Sequence, residues 1–191
     1  EIGVAESPGR SKELLQWEKV IDQDLHSAFS GHEFVDTKTG KDALRRVLVA
    51  YANRNRDVGY CQPMNFIAAA LLIVTKDEED TFWSLALFEE RILKEYHSLH
   101  MLGCRTDCRF LMDLTRQYLP KAHRVFVEKQ VIPEVAFIHW FLDVFVNSLP
   151  FGTAMRIWDK LMADMKDSSS LKKPLDVVFA TEGRLGIQFK K

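Results

Sequence analysis

An all-α fold is what this chain of 191 residues predicts. Nearly every long segment repeats its apolar residues with helical period. Strand-type alternation with paired turn signals is absent. Pro63, Pro120, Pro133 and Pro150 stand at the joints of the periodic segments, where a helix tolerates proline.

Taken in order, the first helix carries Leu14, Leu15, Val20, Ile21 and Leu25 on one broad stripe, with Ser11 able to cap it. A polar loop bracketed by Gly31 and Gly40 runs to Lys41. Asp42 then caps a helix over residues 43–53, with Leu44, Val47, Leu48 and Tyr51 as apolar positions. Residues 53–59 are a turn-rich break. Pro63 opens the next helix, because its φ is already helical and its missing N–H would be unpaired there anyway. Residues 64–75 are apolar almost all round and belong in the interior. Residues 77–96 read as one helix, acidic in its first turn where the macrodipole favours it, with Phe82, Leu85, Ala86, Leu93 and Tyr96 inward. Residues 107–118 stop at Pro120, and residues 122–130 are short. Residues 133–147 present Phe137, Trp140, Phe141, Val144 and Phe145 as one buried aromatic face, ended by Pro150. Residues 152–165 are amphipathic and bury Trp158. Ser168, Ser169, Ser170 and Pro174 mark a loop, and residues 175–189, interrupted by Gly183 and Gly186, read ambiguously.

The length suits a single domain spanning residues 1–191, long enough to bury a core. A hydrophobic share of 47% argues against disorder of the whole chain. Net charge is −1, so no basic excess points to nucleic acid or to an anionic membrane surface. Cys61, Cys104 and Cys108 are too few for a disulfide framework, and a reducing, cytoplasmic setting is the default. The first residues lack the apolar core of a signal peptide, and the longest apolar run, 66–74, is too short to span a bilayer. His100, Cys104 and Cys108 are spaced by four, but Gly103 interrupts and a fourth ligand is not evident, so no metal site is expected. No phosphate-cradling glycine loop and no nucleophile–base signature is present; the chain has no catalytic centre of its own and binds no nucleotide by itself.

Two stretches carry the functional reading. The first contains Ile21, Asp24, Ser27 and Phe29, followed by His32 and Phe34. The second runs through Val58, Gly59, Tyr60, Cys61, Gln62, Pro63, Met64, Asn65 and Phe66. Further along stand Trp140, Phe141, Leu142 and Phe145, then Leu149-Pro150-Phe151, then Met155 to Asp159 with Arg156 and Trp158. In this order they resemble the TBC domain, a family of activators of Rab-type small GTPases involved in vesicle trafficking. The motif-bearing core is 11–165, and 166–191 diverges from the family.

The resemblance implies a glutamine finger and an arginine finger offered to the partner's nucleotide. Hydrolysis needs a water held in line with the γ-phosphate and positive charge on the developing transition state. An amide donates and accepts at once, so Gln62 takes the water-positioning role. A guanidinium bridges phosphate oxygens with forked bonds, but Ser27 stands where that arginine belongs. Arg54 and Arg56, just before Gln62, are the nearest substitutes, with Arg45 and Arg46 on the preceding helix. Asp24 is implied to support the finger loop, its plain alternative being a polar contact within its own helix, and Tyr60 completes the glutamine motif at the binding surface. Pro63 replaces the family's glycine; it narrows the backbone of Gln62 and either pre-sets or mis-sets the glutamine. The family's opening helices are not seen. GTP and Mg²⁺ would be carried by the partner, and the chain would reach membranes only peripherally, through that partner. Two functions follow: a GTPase activator weakened by the loss of its arginine, or an inactive GTPase-binding scaffold.

Overall fold

The structure, a computed structural model, describes residues 12–29 and 31–166, with side chains to residue 163. Eight α-helices and no strand occur among the described residues. Ser11 and residues 175–189, assigned above as a cap and an ambiguous segment, lie outside them. The chain gathers into two compact units that divide after Ala86.

The first unit holds α1 (Lys12–Asp24), α2 (Lys38–Arg54), α3 (Met64–Thr75) and nearly all of α4 (Glu78–Leu87). Helix α2 packs on both α1 and α3. Leu14, Ile21 and Leu25 are buried, but Leu15 and Val20 are exposed, so the stripe on α1 is narrower than its apolar residues suggest. Glu18 occupies the buried face instead, where Arg45 of α2 meets it at 3.2 Å.

Helix α2 begins four residues before the expected cap, Asp42. Thr37 is the true N-cap, its hydroxyl accepting the Gly40 N–H at 3.1 Å. Gly40, assigned to the loop, lies inside the first turn, where a Cβ would come within 2.2 Å of the Phe34 carbonyl. Helix α3 has the bounds its composition predicts and is buried on most sides. It ends at Lys76 in the left-handed conformation, φ 57°.

The second unit starts with a π-helical turn, Phe88–Ile92, and continues through α5 (Leu102–Tyr118), α6 (Pro120–Glu128), α7 (Pro133–Leu142) and α8 (Phe151–Lys166). The single helix expected over 77–96 therefore breaks. The Leu93 N–H bonds the Phe88 carbonyl at 2.7 Å, five residues back. That wider turn brings two consecutive residues inward, Phe88 against Trp158 and Glu89 against His97.

Helix α5 packs on α6 and α7. It starts earlier than expected, and Gly103 belongs to it: a Cβ there would meet the Lys94 carbonyl at 2.6 Å. Helix α7 is shorter than expected, because Val144 and Phe145 take positive φ and turn the chain out of the helix. Phe141, Phe145 and Trp158 are buried as expected, but Trp140 is 40% exposed. Phe137 and Phe141, four residues apart, hold the buried face of α7, and Trp140 leans on Phe137 from its edge.

Candidate functional site

Helix α1 ends at Asp24, and the chain crosses an exposed loop before α2. Leu25 and Ala28 are buried and pin that loop from below, leaving Ser27 exposed between them. Phe29 follows with φ 51°, a left-handed turn that redirects the chain.

The second loop rises from α2 to α3. Gly59, with φ 65°, lies against the Trp17 indole; a Cβ would stand 2.3 Å from that ring. Glycine is required there on both counts. The chain then enters α3 by successive tight turns: Met64 N–H bonds the Cys61 carbonyl at 3.0 Å, and Asn65 N–H bonds the Gln62 carbonyl at 3.3 Å. Pro63 has φ −63° and ψ −17°, already helical, and occupies the position before Met64. Gln62 stands exposed at this turn.

Two side chains of the second loop, Tyr60 and Asn65, reach across to the first. The Tyr60 hydroxyl donates to Asp24 Oδ2 at 2.9 Å. Asn65 Nδ2 donates to the Asp24 carbonyl at 3.0 Å and to Ser27 Oγ at 3.1 Å. The Ser27 hydroxyl in turn donates to the Asp24 carbonyl at 2.8 Å. Burial and the neighbouring Asp24 carboxylate push the Tyr60 phenol up, so it stays a donor. Asp24 therefore acts across 36 residues of sequence rather than within its own helix.

Asn65 lies in the second motif stretch, but sequence reasoning gives it no role. It is fully buried in an apolar helix, and the signal was there: a lone amide at the first turn of a segment whose only other polar side chain is its last, Thr75.

The arginines named as substitutes for the finger are all engaged. Arg45 bonds Asp22 at 2.6 Å and Glu18 at 3.2 Å, which raises its already high pKa, the Asp22 bond contributing most. Arg46 grips Glu78 with two bonds, at 2.8 and 2.6 Å. Arg54 lies 5.2 Å above the Trp83 ring, and Arg56 donates to Asn53 Oδ1 at 3.0 Å. The first two are held by charge on both sides. The contacts of the last two are with a ring face and a neutral amide.

The chain belongs to the Rab-GTPase-TBC domain family, whose model matches residues 5–174. Growth hormone-regulated TBC protein 1 of Homo sapiens is 39% identical over 166 residues, covering 82% of this chain and 49% of that protein. Growth hormone-regulated TBC protein 1-A of Danio rerio is 37% identical over 164 residues, covering 81% of this chain and 46% of that protein. The chain thus spans about half the length of these relatives. The flagellar RabGAP TBC domain of Chlamydomonas superposes with a TM-score of 0.71 at 29% identity, over 91% of this chain and 57% of that one. The Ypt/Rab-GAP domain of Gyp1p shares the fold, with a TM-score of 0.73 at 21% identity, over 94% of this chain and 62% of that one.

Proposed function

We propose that this chain, as one TBC-type domain, docks on a GTP-loaded Rab-type GTPase and promotes GTP hydrolysis weakly through Gln62. The partner brings GTP and Mg²⁺, and the chain works in the cytoplasm, at membranes only where its partner carries it, in vesicle traffic. One observation carries the reading: Asn65, three residues after Gln62, bonds directly to Ser27, so the two motif loops share one framework at an exposed surface. Gln62 would orient the attacking water. The transition-state charge would go largely uncompensated, because an arginine finger is worth about 10³–10⁵ in rate, or roughly 4–7 kcal/mol, and serine supplies none of it.

A specific observation favours the second reading, an inactive GTPase-binding module. The single proton of the Ser27 hydroxyl is spent on the Asp24 carbonyl, and its oxygen already accepts from Asn65. Ser27 in this arrangement has no donor left for a phosphate oxygen.

Single-turnover GTP hydrolysis by a panel of Rab-type GTPases separates the two. The unmodified chain should accelerate its cognate partner by far less than a complete finger pair does. Ser27→Arg should raise that rate by orders of magnitude. No change in rate with binding intact supports the scaffold reading, and no binding to any GTP-loaded member ends both.

A further inference from the structure

His97 lies in the dry interior of the second unit, far in sequence from the motif loops. Its side chain is 0% exposed and that of Glu89 only 1%. Both ring nitrogens face acceptors. Nδ1 lies 2.7 Å from Glu89 Oε2, and Nε2 lies 2.9 Å from the Leu142 carbonyl. A carbonyl cannot donate, so Nε2 carries a hydrogen. Nδ1 and a bare carboxylate oxygen cannot both present lone pairs at 2.7 Å, so a proton also sits between them. The pair therefore holds one proton more than an ordinary histidine and carboxylate at alkaline pH. The remaining Glu89 oxygen, Oε1, makes no hydrogen bond among the described residues.

What the pair fastens is a strained element. After Leu142 the chain passes through Asp143, then Val144 at φ 49° and Phe145 at φ 67°. Two consecutive non-glycine residues in the left-handed region, one of them β-branched, persist only where the surroundings hold them. Beyond the turn's own backbone bonds, two side chains from outside it hold its carbonyls. His97 grips the Leu142 carbonyl, and the Trp158 indole N–H donates to the Val144 carbonyl at 2.9 Å. Glu89 reaches His97 only because the π-helical turn brings it inward.

We propose that Glu89 and His97 form a proton-operated latch on the turn between α7 and α8: with two protons on the pair the turn is held, and when one is lost the remaining ring proton sits on Nδ1 against the Glu89 carboxylate, so Nε2 no longer donates to the Leu142 carbonyl. The groups that face His97 are Glu89 from the π-helical turn and Asp143 from the strained turn. Asp143 is bonded by Asn147 at 2.9 Å and feels His139. Burial alone would push His97 down; the Glu89 carboxylate, the hydrogen bonds and Asp143 outweigh it and raise it. Burial also raises Asp143. Both groups thus bind protons more tightly in the folded chain than in the unfolded one. The stability due to His97 is complete below about pH 6.5 and is lost as pH rises through its folded value. The loss is about tenfold in the unfolding equilibrium for each unit by which the folded value exceeds the unfolded one.

The test is chemical unfolding of the whole chain from about pH 6 to about pH 9, with the Trp158 indole N–H resonance followed in parallel. The unmodified chain should lose stability across that range, and the indole signal should shift as the turn loosens. Glu89→Gln should flatten both, because its amide donates to a neutral His97 and no proton need be shared. A flat profile in the unmodified chain, or an unaltered decline in Glu89→Gln, overturns the latch. Should Glu89→Gln fail to fold, the ring resonance of His97, assigned by its loss in His97→Gln, decides. Titration near 6.5, as for a solvated histidine, overturns the proposal, and titration well above it supports it.

Discussion

Asn65 has no exposed surface, yet its amide nitrogen makes two of the bonds that join the motif loops. Its Oδ1 makes no hydrogen bond among the described residues, so the residue is held for its donor alone. Asn65→Asp keeps the shape and replaces those two N–H donors by an acceptor. It should cost about 1–3 kcal/mol of stability, and it should loosen residues 24–28 in particular. Urea unfolding measures the first, and amide hydrogen exchange at Ser27 and Ala28 the second. Unaltered exchange at those two residues would mean that Leu25 and Ala28 hold the loop without help. Asp24 and Tyr60 were legible as motif residues, but their bond was not, because no local pattern announces a contact between residues 36 apart.

Helix boundaries were readable where composition and capping agreed. Residues 64–75 combine an opening proline with an unbroken apolar run, and α3 has those bounds. Helix α2 was misread at its start because Asp42 looks like a cap and Gly40 like loop. Both judgements ignore the Phe34 carbonyl, which lies where a Cβ on residue 40 would sit. Thr37→Ala should therefore cost about 1 kcal/mol, whereas Asp42→Ala should have little effect on the helix start. Thermal melts of the two variants check this, and an equal loss from Asp42→Ala would restore the first reading. The π-helical turn could not be read from periodicity, since it exists to turn Phe88 and Glu89 inward together. Trp140 fails for a related reason: the strained turn carries Phe145 to the interior by a path that no single helical face describes.

At the scale of the whole molecule, family and fold agree along most of the chain, and no helix among the described residues is long and apolar enough to cross a membrane. The proposed activity depends on two groups acting on one transition state, so their effects should not add. Gln62→Ala alone should remove the weak activation, a small change in absolute rate. In the Ser27→Arg background it should cancel most of the gain. Single-turnover hydrolysis with saturating chain measures this cycle. Additive effects would mean that Gln62 and the restored arginine act on different steps. Strong activation by the unmodified chain would instead direct attention to Arg54 and Arg56, which lie just before Gln62 in the sequence.

By itself the sequence determined the all-α class, the interior character of 64–75 and the family. Each is written in local composition or in motif order, which survive without coordinates. Tertiary structure decided that Ser27 has a structural occupation, that Asn65 joins the loops, and which arginines are locked by carboxylates. It also decided that the His97 ring meets Glu89 beside a strained turn. Those facts depend on side chains meeting across tens of residues in surroundings that withhold water. There the partner of a polar group is set by packing rather than by its neighbours in the chain.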